Sequence, residues 1–357
     1  MTDRINLSLE RSTGFRLEVD VPLEGVGVTV LFGPSGCGKT TVLRAAAGLE
    51  RARGLVRVAG QLWQDDAKKL FVPTYARRIG YVFQEASLFA HLTVIENLRY
   101  GLRRIHDPQG EKRLNQAVEL LGIGHLLQRR TTELSGGERQ RCAIARSLAI
   151  RPTALFMDEP LAALDHARRL EIMPWIERIK TELGLPILYV THSEEEVLRL
   201  ADQLVLMEGG SVVAKGPVDS VWLQHLERTS ADAQRIALVM GKITQKDAEW
   251  GLMLVQAGSA HFWVRDNGAP IGNSVRLMID SANLSVAVQK PSESSIQNVF
   301  EATVAGLRPS ADGFRTTVTL DAQGTVLLAD LTARAAHSLC LEEGMRVWVQ
   351  IKSVSVF

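Results

Sequence analysis

The chain has 357 residues, enough for two domains that each bury an apolar core. Its 41 lysines and arginines balance 40 aspartates and glutamates, which excludes the strongly basic surface of a typical nucleic-acid-binding protein. No window approaches the roughly 20 apolar residues of a transmembrane helix, and the N-terminus lacks the apolar core of a signal peptide. The three cysteines, at positions 37, 142 and 340, lack metal-ligand spacing, which suits a reducing cytosol. We expect a soluble chain.

The first elements are two strands. Residues 5–9 and 15–21 alternate apolar and polar side chains and are separated by a polar turn at 10–14. Phe15 fits two interpretations, packing in the core or stacking on a nucleotide base.

Residues 33–40 match the phosphate-binding loop pattern G-x-x-x-x-G-K-[ST]. An apolar run at 28–32 predicts a buried strand before the loop, and residues 41–47 predict a helix after it. The loop therefore opens a helix N-terminus, where unpaired backbone N–H groups and the helix dipole favour an anion. Gly33, Gly36 and Gly38 let the main chain approach a pyrophosphate, Lys39 reaches the outer phosphates, and Thr40 can ligate Mg²⁺. The pattern predicts a nucleoside triphosphate site.

The next elements are a strand pair at 55–63 and a strand at 78–84 that ends in Gln84. In a phosphate-loop protein a glutamine there can contact Mg²⁺ and the attacking water, although a solvated strand end has the same pattern. Helical spacing then runs from about 93 to 150, as an insertion in the nucleotide-binding domain. Phe89, Leu92 and Val94 fit either a docking groove for a partner protein or core packing.

A second helix N-terminus is predicted at Ser135. Ser135 is a good N-cap, and Glu138 three residues later completes a capping box. Gly136 and Gly137 make this a second potential phosphate contact. The phosphate loop at 33–40 leaves no room for a second helix N-terminus around the same nucleotide. Residues 135–137 are therefore expected to contact the nucleotide of another subunit.

Two further strands end in polar residues. Residues 154–158 form an apolar strand that ends at Asp158, which suits a contact to Mg²⁺, and Glu159 follows, where it can polarise a water for in-line attack. Residues 187–191 form another strand, followed by His192. Because ligands bind at the carboxyl edge of a parallel sheet, His192 is a candidate as well.

These motifs together resemble the ATP-binding-cassette (ABC) ATPases, in full and in order over about residues 1–230. The run 134–137, Leu-Ser-Gly-Gly, is the feature least shared with other phosphate-loop proteins. The resemblance implies an α/β P-loop NTPase domain with a helical subdomain at about 85–150. It also implies a head-to-tail homodimer in which each ATP lies between one subunit's phosphate loop and the other's residues 135–137.

The resemblance assigns roles to individual residues. Glu159 would be the general base, His192 would contact the γ-phosphate, and Gln84 would relay the nucleotide state. Thr40, Gln84 and Asp158 would hold Mg²⁺. Nucleotide contacts would come from Gly33, Pro34, Ser35, Gly36, Cys37, Gly38, Lys39, Thr40 and Thr41, and in trans from Ser135, Gly136 and Gly137.

The cassette is predicted to close with a short helix around 221–226 and a polar linker at 227–234. Beyond it the apolar period changes to two, and residues 252–255 and 261–264 flank a hairpin turn at Gly258 and Ser259. Phe314 begins another alternating run. The apolar parity slips after residue 351, which predicts a β-bulge at 352–353. We expect residues 231–357 to form a small all-β, OB-like barrel.

Residues 293–357 resemble the Mop-type oxyanion-binding fold, a TOBE-type domain. In that family, hydroxyls, backbone N–H groups and a lysine bind molybdate or tungstate at subunit interfaces. Ser295, Thr332 and Lys352 stand at matching positions, whereas Gln297 replaces a commonly basic residue. The alternative is a dimer-forming barrel that binds nothing.

A cassette followed by a Mop-type tail resembles the ATPase subunits of molybdate importers. The resemblance implies Mg²⁺ and ATP as cofactors, two transmembrane permease subunits, an indirect link to a periplasmic molybdate-binding protein, and a peripheral place at the cytoplasmic face of the inner membrane. Two other functions stay open at this stage: an importer ATPase for sulfate, iron or a sugar, and a non-transport, ATP-dependent molybdate sensor.

Overall fold

The computed structural model describes residues 3–12, 14–104, 108–229, 235–322 and 324–357. The chain divides into two compact units, Met1–Val221 and Trp222–Phe357. The division falls inside a helix, Val218–Arg228, which is longer than the 221–226 predicted from sequence and takes in the first two residues of the predicted linker. Residues 230–234 of that linker lie outside the described residues.

The first unit is built on one large mixed sheet. Within the described residues its strand order is β6-β5-β4-β1-β2-β11-β10-β3-β9-β8-β7. The strands are β1 (Asp3–Glu10), β2 (Arg16–Leu23), β3 (Gly27–Phe32), β4 (Arg53–Val58), β5 (Gln61–Asp65), β6 (Leu70–Phe71), β7 (Ile79–Val82), β8 (Ala154–Asp158), β9 (Pro186–Thr191), β10 (Gln203–Glu208) and β11 (Ser211–Pro217).

Five neighbouring strands, β7, β8, β9, β3 and β10, run parallel. Every residue of β8 and β9 is buried, which explains why both read as nearly continuous apolar runs rather than alternating patterns. In contrast β1 and β2 pair antiparallel and alternate buried and exposed positions, as their sequences predict. The parallel strands bring their carboxyl ends to one edge of the sheet.

Within the described residues six α-helices lie inside this unit, and a seventh crosses the division between the two units. They are α1 (Lys39–Ala47), α2 (Val94–Leu102), α3 (Gly110–Leu120), α4 (Gly136–Ala149), α5 (His166–Leu183), α6 (Glu194–Leu200) and α7 (Val218–Arg228). The helices α2 to α4 occupy the stretch predicted to be helical. Val94 is fully buried, so this residue belongs to the core and not to an open docking groove, whereas Phe89 and Leu92 are half-buried.

The second unit contains two five-stranded antiparallel sheets around one apolar core. The hairpin predicted at Gly258 and Ser259 is confirmed, because β13 and β14 pair up to Ala257 and Ala260. The orders are β14-β13-β12-β15-β21 and β16-β20-β17-β18-β19. The elements are β12 (Ile236–Asp247), β13 (Leu252–Ala257), β14 (Ala260–Arg265), β15 (Ser274–Asp280), β16 (Leu284–Ala287), β17 (Asn298–Pro309), β18 (Arg315–Ala322), β19 (Thr325–Thr332), α8 (Ala333–Ser338), β20 (Arg346–Ile351) and β21 (Ser355–Val356).

The bulge predicted at 352–353 is wrong. Strand β20 ends at Ile351, and β21 pairs with β15 in the other sheet. The alternation of apolar and polar residues shifts by one position because the chain leaves one sheet after β20 and joins the other at β21. Phe314 also departs from its pattern, since it precedes β18 and is 76% exposed.

Candidate functional site

The candidate site lies at the carboxyl ends of the parallel strands. The phosphate-loop pattern follows β3, Asp158 ends β8, and His192 follows β9. The register pairs Phe32 with Thr191 and Asp158 with Val190, so these ends are level with one another. Ligands of open α/β sheets bind at this edge, and the topology therefore gathers motifs that are far apart in sequence.

The loop before α1 depends on its glycines. Gly33 has φ +156°, and a Cβ there would lie 2.1 Å from the carbonyl oxygen of Met207. Gly38, the N-cap of α1, has φ +103°, and a Cβ there would lie 2.8 Å from Cδ1 of Leu17. At Gly33 a side chain would collide with backbone, and at Gly38 the positive φ would strain any other residue, so both positions favour glycine.

Lys39 is held inside this loop. Its side chain is buried, and Nζ donates hydrogen bonds to the carbonyl oxygens of Gly33 at 2.7 Å and Pro34 at 2.9 Å. The ammonium group thus lies beside the positive end of α1, where anions bind favourably.

Asp158 is buried and hydrogen-bonded on both carboxylate oxygens. Thr40 Oγ1 donates to Oδ1 at 2.7 Å, and the hydroxyl of Tyr81 donates to Oδ2 at 3.2 Å. Burial raises the pKa of Asp158, the nearby charge of Glu159 raises it further, and the two hydrogen bonds oppose the shift. The Tyr81 pKa is raised as well, chiefly by burial and then by the carboxylate that it faces.

Glu159 adopts a backbone conformation that side chains rarely adopt, with φ +42°. Its N–H donates to the carbonyl of Val190 at 3.0 Å, which anchors the turn after β8 to the neighbouring strand. Oε2 of Glu159 lies 3.1 Å from Nδ1 of His192. The acid and the histidine, 33 residues apart, therefore form a contacting pair at the sheet edge.

A cavity of about 260 Å³ opens beside these residues. It is bounded by phosphate-loop residues, by Glu159 and by two side chains from the β1–β2 hairpin. Its lining residues are Arg11, Phe15, Ser35, Gly36, Gly38, Lys39, Thr40, Thr41 and Glu159. Phe15 therefore borders the candidate nucleotide cavity. This position agrees with the interpretation that Phe15 stacks on a nucleotide base.

Several predicted contributors do not line this cavity: Gly33, Pro34, Cys37, Gln84, Ser135, Gly136, Gly137, Asp158 and His192. Gln84 is exposed on a bend two residues after β7 ends, so the predicted strand 78–84 is longer than the observed one. Ser135, Gly136 and Gly137 begin α4 and are also absent from the cavity lining. The family resemblance assigns Gln84 to Mg²⁺, and it assigns Ser135, Gly136 and Gly137 to the ATP site of a second chain.

The start of α4 has the predicted capping geometry. Ser135 Oγ accepts from the N–H of Glu138 at 3.3 Å, and Oε2 of Glu138 accepts from the N–H of Ser135 at 2.7 Å. The capping box is thus confirmed. A glycine-containing helix N-terminus of this kind can offer N–H groups to an anion.

A larger cavity, of about 850 Å³, lies at the other end of the strands. Thr153 and Pro186 line it, at the starts of β8 and β9. The carboxyl ends carry the phosphate loop and the acids, so we assign the chemistry to the smaller cavity.

The candidate oxyanion residues of the second unit, Ser295, Thr332 and Lys352, are exposed. Within its described residues no hydrogen bond or ion pair joins Ser295, Thr332 and Lys352 to one another. Thr332 caps α8 by accepting from the N–H of Ala335 at 3.2 Å, and the N–H of Lys352 donates to the carbonyl of Asn283 at 3.0 Å.

The structure adds two residues that sequence reasoning missed. Tyr81 contacts Asp158 because β7 and β8 are parallel neighbours, a pairing that no local pattern encodes. Arg11 borders the cavity beside Phe15, at 5.8 Å from its ring. The sequence feature that could have pointed to Arg11 is its position in the predicted turn at 10–14, close to Phe15, the candidate for base stacking.

The donors present fit a divalent cation of the Mg²⁺ type. Thr40 and Asp158 supply hard oxygen atoms 2.7 Å apart next to the phosphate loop. Mg²⁺ is usually bound through one or two carboxylates together with substrate phosphates and waters, rather than by a dedicated cage. Accordingly, no cluster of three or more His, Cys, Asp or Glu side chains suited to a metal occurs in the described part of the chain.

Two family models match the chain. The ABC transporter family matches residues 18–162, and the TOBE domain matches residues 294–357. Among the helices of the described ranges, none is both long and apolar enough to cross a bilayer.

Relatives match over nearly the whole length. "Molybdenum import ATP-binding protein ModC" of Methylococcus capsulatus is 47% identical over 347 residues, covering 96% of both chains. The protein of the same name from Aromatoleum aromaticum is 46% identical, covering 96% of this chain and 91% of the relative.

Solved structures match the cassette. That of cbiO1 from Clostridium perfringens, part of the ABC transporter complex cbiONQ, is 29% identical with a TM-score of 0.55, covering 62% of this chain and 92% of that one. A dimeric ATP-binding cassette in a post-hydrolysis state, bound to ADP and Pi, is 26% identical with a TM-score of 0.52, covering 61% and 99%.

Proposed function

This chain belongs to the family of molybdenum import ATP-binding proteins of ABC transporters, and we propose that it couples ATP hydrolysis to the uptake of molybdate. The observation that carries the proposal is the 47% identity over 96% of both chains, because it includes the C-terminal unit as well as the cassette. A match confined to the cassette would support an ABC ATPase without indicating the cargo.

The phosphate loop binds the triphosphate of ATP. Backbone N–H groups at the start of α1 and the Lys39 ammonium face the phosphates, and Phe15 stacks against the base. Thr41, which also lines the cavity, extends these contacts. These groups orient the γ-phosphate for in-line attack.

Thr40 and Asp158 would hold Mg²⁺, and Gln84 would be a further ligand. When bound, the ion would supply positive charge beside the phosphates of the nucleotide. The protein's part is to present oxygen donors in fixed positions, and the hydrogen bond between Thr40 and Asp158 supports this role.

Glu159 acts as the general base toward the attacking water. Its carboxylate borders the cavity and contacts His192, which fixes its direction. His192 also contacts the γ-phosphate. The positive φ of Glu159 is consistent with this role, because strained backbone is tolerated where function requires a side chain to point one way.

Each site is completed by a second copy of the chain. Ser135, Gly136 and Gly137 supply N–H groups and a hydroxyl in trans, a role supported by the capped, glycine-containing N-terminus of α4. Groups supplied in trans accelerate phosphoryl transfer by roughly 10³–10⁵ in related enzymes. Closure of two such sites drives the transport step.

The chain works at the cytoplasmic face of the inner membrane, bound to two permease subunits that receive substrate from a periplasmic molybdate-binding protein. The half-buried Phe89 and Leu92, between Gln84 and α2, are available for this docking. In the second unit, Ser295, Thr332 and Lys352 bind oxyanion at an interface between copies, a role supported by the TOBE match over 294–357.

The test is ATP hydrolysis by the chain reconstituted with its permease in liposomes. Hydrolysis should rise when the binding protein is loaded with molybdate and should stay at the basal rate with sulfate. Stimulation by sulfate and indifference to molybdate and tungstate would contradict the proposed cargo, while leaving the ATPase assignment intact.

A further inference from the structure

The carboxylate of Asp158 is held from two sides. Thr40 lies on α1, the helix that follows the phosphate loop, and its hydroxyl donates to Oδ1 at 2.7 Å. Tyr81 lies on β7 and reaches Oδ2 at 3.2 Å. Two donors on different oxygens restrict rotation of the carboxylate about its Cβ–Cγ bond, because turning it would break both hydrogen bonds.

Tyr81 is itself well fixed. Its backbone pairs in parallel with Phe156 of β8, two residues before Asp158. Its ring packs on Phe83, with the centroids 4.4 Å apart. Since this packing needs only an aromatic ring, the hydroxyl is the part of Tyr81 that is specific to Asp158.

We propose that Tyr81 is a positioning residue for the Mg²⁺–nucleotide complex, acting through the orientation of the Asp158 carboxylate. The inference rests on the proposed role of Asp158 at the metal. Mg²⁺ demands near-ideal octahedral geometry, so a carboxylate that is free to rotate is a poorer partner than one already in place. Residues that hydrogen-bond to metal ligands typically change metal affinity or activity by roughly 10–100-fold when mutated.

The variant Tyr81→Phe keeps the ring and removes the hydroxyl. We expect the Mg²⁺ concentration for half-maximal binding of a non-hydrolysable ATP analogue to rise about tenfold, measured by calorimetry over a Mg²⁺ titration. Binding of the same analogue in EDTA should stay unchanged, because the phosphate loop is untouched. A loss of thermal stability with an unchanged Mg²⁺ dependence would overturn the proposal and leave Tyr81 a packing residue.

The chain offers a matched control on the other neighbour of β8. Tyr189 on β9 is fully buried, and its hydroxyl donates to Glu196 at 2.8 Å. Tyr189→Phe therefore removes a buried hydroxyl–carboxylate contact without touching Asp158, and we expect the Mg²⁺ dependence to stay at the wild-type value. An equal shift in Tyr189→Phe would show a general effect of the sheet and would also overturn the proposal.

Asp158→Asn separates this inference from the proposed function. If Asp158→Asn shifts the Mg²⁺ dependence and Tyr81→Phe does not, the metal assignment stands and the role of Tyr81 fails. If Asp158→Asn has no effect, the assignment of Asp158 fails and the inference fails with it.

Discussion

Two adjacent acids at the end of β8 have different environments, and the difference assigns their roles. Asp158 is buried with both oxygens hydrogen-bonded, which supports the proposed role of an oriented metal ligand rather than a mobile base. Glu159 borders the cavity in a left-handed backbone conformation and contacts His192. In the proposed mechanism the cation ligand and the general base are therefore neighbours in the chain, separated by one peptide unit.

This assignment predicts the behaviour of Glu159→Gln. Because glutamine keeps the size of the side chain and loses its basicity, ATP should still bind while turnover falls by roughly 10²–10⁴-fold, the contribution of a general base. Phosphate release and binding of labelled ATP measure the two effects. Glu18→Gln, whose side chain is 71% exposed on β2, is the control and should hydrolyse at the wild-type rate. Turnover retained in Glu159→Gln would remove Glu159 as the base.

Helix α1, which carries the phosphate loop at its start, is also fixed at its end. Arg77 is buried, and its guanidinium donates to the carbonyl of Ala46 at 2.6 Å and to that of Val72 at 2.8 Å. Burial lowers the pKa of Arg77 to about 10, so it remains charged at pH 7 and complements the negative end of the helix dipole. Gly48, with φ +79°, ends the helix beside it.

We therefore expect Arg77→Met to destabilise the first unit by about 2 kcal/mol, because it leaves buried carbonyl oxygens without a donor. Urea unfolding measures this change. The exposed neighbour Arg78 provides the control, since Arg78→Met removes the same charge and should change stability by about 0.5 kcal/mol or less. Equal effects of the two variants would indicate a general charge effect rather than the capping of α1.

At the scale of the whole molecule, the cavity of one chain has the phosphate loop and lacks residues 135–137. A site shared between two copies gives a sharp prediction for mixed variants. Lys39→Ala removes the phosphate contact, and Ser135→Arg blocks the helix start of α4, so each homodimer should be inactive. In a mixed dimer one of the two sites receives an intact half from each chain.

An equal mixture of Lys39→Ala and Ser135→Arg chains should therefore recover hydrolysis, up to about a quarter of the wild-type sites if the copies associate at random. Phosphate release from co-expressed chains, compared with each variant alone, measures the recovery. A mixture as inactive as its components would mean that residues 135–137 do not serve the partner's nucleotide.

The sequence by itself indicated four of the five parallel strands, β3, β7, β8 and β9, the helix N-termini after the phosphate loop and at Ser135, and the chemical groups that follow these strands. It did not indicate β10, and α1 begins at Lys39, two residues before the predicted helix. The indicated features are local, because a glycine loop, a capping box and an apolar run act within a few residues. The sequence pattern also indicated two units and the β-hairpin at Gly258 and Ser259, which β13 and β14 confirm.

Only the tertiary structure decided how those groups meet. Tyr81 faces Asp158, and His192 contacts Glu159, because the order of β7, β8 and β9 brings together residues that are separated by 77 and 33 positions. The parity slip after Ile351 is likewise a change of sheet rather than a bulge, since pairing with β15 is a non-local choice. Strand order and register depend on the packing of the whole chain, and local side-chain patterns do not encode them.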